Sequence, residues 1–152
     1  MELDKAVDER GYFARTFSRE DFVARGLIDS FVQNSLSFNR LKGTLRGMHY
    51  QAEPHGEVKL VQCIRGAVFD VAVDLLPGSQ TCGRWYGVEL NQDNGQLLYV
   101  PRGFAHGFMT LADNTALYYM ISTAYAPDYA RGVRWDDPAF GIKWPGLETV
   151  MA

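Results

Sequence analysis

The sequence has little cysteine, no strong excess of charge of either sign and no long apolar run. Its two cysteines, Cys63 and Cys82, fall in strand-like runs, and we expect buried free thiols there rather than a disulfide. The 15 basic and 18 acidic residues give a net charge of -3, which does not favour a nucleic-acid partner. Without an apolar run of about 20 residues, no membrane-spanning helix is expected. The charged start, Met1–Lys5, is unlike a signal peptide, so we expect a cytoplasmic protein.

What the sequence does contain is a dense series of short strand patterns. Hydrophobic residues make up 47% of the 152 residues, which is enough for a core, and the length predicts one domain over residues 1–152. Strands are predicted at 12–17, 31–37, 58–64, 67–74, 84–90, 97–100, 108–111 and 115–121, most of them ending at Gly, Pro, Asn or Asp. One short helix is predicted over 18–26, with Ser18 as its N-cap. The pattern predicts an all-β sandwich or barrel with short flanking helices.

Two motifs in this region share a design in which a glycine is followed by a strand that leads to a histidine. In the first motif, five residues separate Gly43 from His49. In the second, the strand after Gly95 leads through a Pro-x-Gly turn to His106. These spacings resemble the two half-motifs of a cupin, a double-sheet jelly-roll β-barrel. The resemblance implies that both histidines enter one barrel.

A metal-binding cupin uses three histidines and one glutamate as ligands, and two of these four positions differ here. The second histidine position is Gln51, and the glutamate position, counted back from Gly66, is Lys59. A protonated lysine carries donors only and repels a divalent cation. We therefore expect no metal and no cofactor, and instead a fixed ammonium near a histidine base. Such a charge suits a reaction in which an oxyanion develops.

The titratable candidates each have a structural alternative. His49 is either a general base, because an imidazole titrates near pH ~6.5, or a core histidine bonded to backbone, and His106 from the second motif favours the base. Asp70 lies in an otherwise apolar run and is costly to bury unpaired. Its partner is predicted to be either a histidine or an arginine in a structural ion pair. Lys59, without its place at the ligand position, would be an edge or surface residue.

Other polar and aromatic residues are divided between binding and structural interpretations. Three arginines are candidates for a phosphate clamp, because guanidinium groups match phosphate oxygens, and the alternative for each is a solvated surface charge. They are Arg10, Arg15 and Arg46. Tyr119 and Tyr125 belong to a tyrosine-dense stretch that indicates either a proton donor or packing. The polar-aromatic run 131–138 is either a lid or a structural turn.

A longer pattern covers nearly the whole chain in eight ordered segments at compatible spacing. The segments are Asp8–Phe13, Phe31–Gln33, Gly43–Gln51, Lys59–Val61, Gly66–Asp74, Pro101–Phe108, Tyr125–Pro127 and Trp135–Pro138. Together they resemble the dTDP-4-dehydrorhamnose 3,5-epimerase family, a far more specific match than the cupin half-motifs alone. The resemblance implies a metal-free jelly-roll homodimer that inverts C3, C5 or both of a dTDP-4-keto-6-deoxyhexose.

Carried over by position, the resemblance also implies a role for individual residues. His49 would be the base that removes a proton next to the C4 ketone, and Tyr125 would supply a proton on the other face. Lys59 would stabilise the C4 enolate, in agreement with the missing metal. The residues implied to line the substrate site are Arg10, Phe13, Arg15, Gln33, Arg46, His106 and Tyr119.

Two positions depart from the family's pattern. Arg15 stands where the family commonly has a glutamate, so we expect different contacts to the nucleotide. The family's aspartate that pairs with the base histidine has no counterpart, because no aspartate follows Asp137. Asp70 is therefore predicted to be the partner of His49.

Two further functions remain as alternatives. A catalytically weak sugar-nucleotide-binding cupin would bind the nucleotide without exchanging substrate protons with solvent. A related cupin ketoisomerase would move the carbonyl instead of inverting a centre. The sequence around His49, together with Tyr125–Pro127, favours the epimerase. The centre inverted, the nucleotide base and the final sugar are left open.

Overall fold

The apolar-polar alternation of the sequence produces eleven short strands within residues 1–151, the part of the chain that the computed structural model describes. The strands are β1 (Lys5–Asp8), β2 (Gly11–Ala14), β3 (Gln33–Asn39), β4 (Leu45–Gln51), β5 (Lys59–Arg65), β6 (Ala67–Asp74), β7 (Trp85–Asn91), β8 (Leu97–Val100), β9 (Phe104–Thr110), β10 (Thr115–Ile121) and β11 (Ala130–Gly132). The helical elements are α1 (Arg19–Ala24) and a 3₁₀ turn (Pro127–Tyr129).

Nine of these strands form two antiparallel sheets that pack face to face. One sheet has the order β3-β10-β5-β8, and the other has the order β11-β4-β9-β6-β7. β1 and β2 form a separate hairpin. Strands that follow one another along the chain are distributed between both sheets, so the core is closed by non-local pairings. This arrangement is the jelly roll of the cupin fold, as predicted.

The core between the sheets follows from the two-residue period of the strands. In β6, Val68 and Ala72 are buried against Leu98 and Leu117 of the opposite sheet, whereas Val71 faces away from it. Alternate residues of a strand point to opposite faces, and therefore one strand contributes to two apolar clusters. The interior cluster consists of Val61, Cys63, Val68, Ala72, Leu90, Leu98, Val100, Phe108 and Leu117.

Both outer sheet faces are covered by short segments. Phe22 of α1 is buried against Leu60 and Leu97 on the four-stranded sheet. On the five-stranded sheet, the residues after β11 cover the outward-facing side chains with aromatic and aliphatic groups. They are Val133, Trp135, Phe140, Ile142 and Trp144. The run 131–138 therefore begins as a strand and continues as a packed structural cover, and of its two predicted alternatives the structural one applies.

Several predicted boundaries shift in the structure. β2 ends at Ala14, the last residue that pairs with β1. β3 runs from Gln33 to Asn39, the residues that pair with β10. Ser18 is the N-cap of α1, as predicted, and its hydroxyl accepts a hydrogen bond from Asp21 N. Both cysteines are free thiols, but only Cys63 is buried, because Cys82 lies in an exposed turn. No helix of residues 1–151 is long and apolar enough to cross a membrane.

We expect Leu117→Ala to lower the free energy of unfolding by about 2–5 kcal/mol, since Leu117 is fully buried between the sheets and truncation leaves a cavity. Leu41→Ala is the matched control, because Leu41 lies in an exposed turn, and we expect a change within about 0.5 kcal/mol. Urea denaturation of both variants measures the difference. Equal effects would contradict the placement of the core between the two sheets.

Candidate active site

An extra residue in β4 directs two basic side chains toward the same side of the sheet. The step from Arg46 to His49 covers three residues of β4 but only two of β9. Strict alternation would have placed these side chains on opposite faces. Gly47 permits the bulge, because it adopts a φ of +119° and a Cβ there would lie 2.5 Å from the Cα of Gly107. Met48 faces the other way and is fully buried under the residues that follow β11.

His49 stands directly opposite His106, its register partner on β9. His106 is buried, and its Nε2 lies 2.7 Å from Oδ1 of the fully buried Asp70 on β6. The prediction that Asp70 pairs with His49 is therefore wrong. The physical reason is strand order, because β9 lies between β4 and β6 and its histidine takes the contact. Of the two alternatives for Asp70, the histidine partner is correct, and the contact requires a proton on Nε2 of His106 when Asp70 is ionised.

The opposite sheet supplies the ammonium group. Lys59 begins β5, which lies inside its sheet between β10 and β8, so the edge-strand alternative is wrong. Its side chain is 13% exposed, and its Nζ lies 3.1 Å from Oε1 of Glu57, which is 11% exposed. On β4, Arg46 donates from Nε to Oδ1 of the buried Asn39 at 2.7 Å. Each cation is thus held in place by a neutral or acidic neighbour.

The tyrosine of the Tyr-Ala-Pro segment is held by side-chain amides rather than by a strand. Tyr125 N donates to Oε1 of Gln33 at 2.8 Å, and Ala126 N donates to Oε1 of Gln51 at 2.7 Å. Tyr125 is 66% exposed and lines the same cavity as His49 and Lys59. Gln51 was predicted only as a position where a cupin metal ligand is replaced. In the structure its side chain hydrogen-bonds the backbone next to Tyr125. Within residues 1–151, no three His, Cys, Asp or Glu side chains are grouped as metal ligands.

These side chains converge on one cavity of about 880 Å³ between the sheets. Seven of the predicted site residues line it, namely Gln33, Arg46, His49, Lys59, His106, Tyr119 and Tyr125. Asp70 lies behind His106 and is not part of the lining. The ring of Tyr119 meets that of His106 edge-on, with centroids 6.0 Å apart. Burial and the charge of Asp70 raise the pKa of Tyr119 well above its ordinary value, so its phenol stays protonated.

The cavity favours an uncharged His49. Partial burial is the main cause that lowers the pKa of His49, and the electrostatic effect of Lys59, His106 and Arg46 lowers it further. A lowered pKa means that the neutral imidazole persists to more acidic pH than usual. The arrangement can therefore remove a proton with His49 while Lys59 holds a positive charge toward a developing anion.

Three residues predicted to bind substrate lie elsewhere in this chain. Arg10 is highly exposed and pairs with Asp8, its Nη2 contacting Oδ2 at 2.6 Å. Phe13 and Arg15 line a smaller cavity of about 370 Å³ between the β1–β2 hairpin and α1. They do not reach the main cavity of their own chain, because the hairpin forms its own sheet apart from the two main ones.

Sequence reasoning missed other residues that line the cavity. Glu57 and Arg131 both line it, and neither was predicted as a site residue. Glu57 lies two residues before Lys59, and alternate residues of an extended segment point to the same face. This spacing could have identified Glu57 as a residue of the site. Asn39 orients Arg46, and its position in the sequence carries no signal for that contact.

A protein-family model described as dTDP-4-dehydrorhamnose 3,5-epimerase matches residues 1–152. A curated relative of that name from Sinorhizobium fredii is 49% identical over 148 residues, which is 97% of this chain and 75% of the relative.

Solved structures share the fold over almost the entire chain. A dTDP-4-dehydrorhamnose 3,5-epimerase from Bacillus anthracis, with TDP and PPi bound, superposes with a TM-score of 0.96 at 38% identity, covering 99% of this chain and 86% of that one. A dTDP-6-deoxy-D-glucose-3,5-epimerase from Legionella pneumophila, in complex with dTDP-4-keto-L-rhamnose, has a TM-score of 0.93 at 38% identity, with coverages of 99% and 80%.

We expect Lys59→Met to raise the pKa of His49, because it removes a nearby positive charge and leaves Glu57 without its cation. Both changes favour the imidazolium, so they have the same sign. NMR titration of the imidazole Cε1–H signals, assigned with His49→Ala, measures the shift. Lys143→Met is the matched control, because Lys143 is exposed and lies outside the cavity lining, and it should leave the pKa unchanged. A lower or unchanged value in Lys59→Met would contradict this account.

Proposed function

Because the chain belongs to the dTDP-4-dehydrorhamnose 3,5-epimerase family, we propose that it inverts C3, C5 or both of a dTDP-4-keto-6-deoxyhexose. It is accordingly an isomerase-class enzyme, a sugar epimerase. The observation that carries the proposal is the convergence of His49, Lys59 and Tyr125 on one cavity from three separate parts of the chain. This convergence supplies a base, a cation and a proton donor at the same site.

In the proposed reaction the C4 ketone acidifies the neighbouring C–H bonds. Neutral His49 takes the proton, and the electron pair of the C–H bond moves into an enolate whose oxygen lies near the Lys59 ammonium. The phenol of Tyr125 then gives its proton to the carbon from the opposite face and regains one from solvent. A positive group directed at a developing oxyanion commonly lowers the barrier by about 3 kcal/mol. The remaining proton leaves His49 to water, so the site returns to its starting state.

His106 and Asp70 have a supporting part in this proposal. The carboxylate fixes one tautomer of the imidazole and holds the ring in the cavity wall next to His49. His106 contacts the sugar, whereas Asp70 acts on it only through His106 and is a positioning residue. Arg46, Gln33 and Tyr119 bind the substrate from the remaining walls.

The proposal includes a homodimer whose hairpins complete the partner's cavity. Val7, Tyr12 and Phe13 of the β1–β2 hairpin are each more than half exposed, an apolar surface that association would cover. Arg10 and Phe13 do not reach the cavity of their own chain, so a contact with substrate requires another copy. The same holds for Arg15, which we assign to the nucleotide. Sugar-nucleotide chemistry of this kind needs no export, and we place the enzyme in the cytoplasm.

One observation favours a second candidate, a catalytically weak sugar-nucleotide-binding cupin. Asp70 is engaged by His106, and among residues 1–151 no carboxylate is hydrogen-bonded to His49. Without a carboxylate partner, the protonated form of His49 is less stabilised. His49 would therefore remove a proton from the substrate more slowly. This candidate binds the nucleotide without exchange at the sugar carbons.

We expect proton NMR of dTDP-4-keto-6-deoxyglucose with the protein in deuterium oxide to show exchange at C3, C5 or both. His49→Ala should slow this exchange by about 100-fold or more, because it removes the base. Tyr125→Phe should retain exchange but lose inversion, since only the second proton transfer is impaired.

Tyr86→Phe is the matched control for the tyrosine, because Tyr86 is exposed on β7 outside the cavity lining, and it should behave as wild type. Exchange at C3 alone would identify a single-centre epimerase. Binding of the nucleotide without any exchange would reject the epimerase in favour of the binding cupin.

We expect co-expression of His49→Ala with an Arg10→Ala/Phe13→Ala double variant to restore activity in mixed dimers isolated with two affinity tags. One cavity of each mixed dimer would then combine an intact His49 with an intact hairpin from its partner. Co-expression of His49→Ala with Lys59→Met is the control, because each cavity then keeps a defect and no activity should return. Equal absence of activity in both mixed dimers would reject the completion of one cavity by the other chain's hairpin.

A further inference from the structure

Gln51 occupies the position of a cupin metal ligand, yet its buried amide is fully used by backbone groups. Its side chain is 4% exposed. Oε1 accepts a hydrogen bond from Ala126 N at 2.7 Å. Nε2 donates to His55 O at 2.8 Å and, at 3.4 Å, to Ala124 O. One amide thus bonds the residues on both sides of Tyr125.

Gln33 completes this arrangement from the other sheet. Its Oε1 accepts a hydrogen bond from Tyr125 N at 2.8 Å. Residues 122–126 belong to no strand, and Ala124 O, Tyr125 N and Ala126 N have no backbone hydrogen-bond partner among the described residues. Two side-chain amides therefore replace the neighbouring strand for Ala124 O, Tyr125 N and Ala126 N. We call these two side chains, Gln33 and Gln51, the amide clamp.

The amide clamp matters because the ring of Tyr125 is weakly packed. The residue is 66% exposed, and its phenol has no hydrogen-bond partner among the described residues. Neither packing nor a side-chain bond therefore sets its position. The backbone of the segment sets it, and that backbone is held by the amides of Gln33 and Gln51.

Gln51 also connects this segment to the base. It lies two residues after His49 on β4, and alternate residues of a strand project to the same side. A strand holds such a pair at a nearly constant separation. The separation between the candidate base and the candidate acid is thus set through one short stretch of β4.

We propose that Gln51 is a positioning residue that fixes Tyr125 for proton delivery to the face opposite His49. This inference rests on the proposed epimerase function. If the segment shifts, His49 still removes the proton and forms the enolate. The enolate then regains its proton mainly from His49 on the original face, which returns the substrate. Loss of the clamp therefore changes the outcome of the reaction more than the rate of deprotonation.

The test measures two quantities in deuterium oxide with the full-length protein and dTDP-4-keto-6-deoxyglucose. One is deuterium in recovered substrate, and the other is deuterium in inverted product. For Gln51→Met, which keeps the length but lacks the amide, we expect inversion to fall about 10-fold or more while deprotonation falls less than about 3-fold, since a small misplacement of a reacting group strongly slows transfer. Gln51→Glu keeps the acceptor for Ala126 N and should give an intermediate ratio.

Two comparisons separate positioning from a merely structural role. A destabilised protein would lose both quantities in proportion, because fewer molecules are folded. In the double variant Gln51→Met/Tyr125→Phe, we expect deprotonation and residual inversion to match those of Tyr125→Phe alone, because both substitutions act on the same proton transfer. Gln33→Met removes the other half of the clamp at an exposed site, and it should shift the ratio in the same direction even if Gln51→Met does not fold.

The outcomes distinguish this inference from the function on which it depends. A wild-type protein without exchange overturns the epimerase and the inference with it. A wild-type protein that exchanges and inverts, with an unchanged ratio in Gln51→Met or, where that variant does not fold, in Gln33→Met, overturns the inference alone. A raised ratio of deuterated substrate to inverted product supports it.

Discussion

The close approach of β4 and β9 at Gly47 and Gly107 is the constraint on which the site depends. A Cβ at Gly47 would lie 2.5 Å from the Cα of Gly107, and one at Gly107 would lie 2.7 Å from Arg46 O. No other residue fits there without displacing backbone. Because the strands come this close, β4 can hold one extra residue and still pair with β9 on both sides of it. The bulge places Arg46 and His49 on one face, opposite His106.

The barrel interior divides into an apolar part and a polar part, and the two depend on each other. The apolar cluster around Val61 and Leu117 stabilises the packing of the sheets. The polar part holds buried charges, which are unfavourable unless they are paired. Asp70 is paired with His106, and Lys59 with Glu57. The packed sheets keep these pairs in position. The stability of the apolar core therefore offsets the cost of placing charged groups at a site that is open to a ligand.

Two substitutions relative to a metal-binding cupin have different physical consequences. Lys59 replaces a ligand with a cation, and its charge contributes to keeping His49 uncharged. Gln51 replaces a ligand with an amide that binds the Tyr125 segment. A paired ammonium and an amide that holds the Tyr125 backbone thus stand at two positions where a metal-binding cupin has ligands. Such a site is suited to proton transfer next to a carbonyl.

The sequence by itself determined the strand pattern, the cupin fold and the convergence of His49 and His106. The strand pattern follows from local properties, namely a two-residue period and Gly and Pro at strand ends, whereas the cupin fold and the convergence of the histidines were implied by the resemblance of the two motifs to cupin half-motifs. Only the tertiary structure decided that Asp70 pairs with His106, because β9 separates β4 from β6 in the sheet. It also decided what Gln51 binds, since Ala126 is 75 residues further along the chain. The face to which a side chain points depends only on its position in its own strand. The partner that it meets depends on strand order, which is set by pairing between distant parts of the chain.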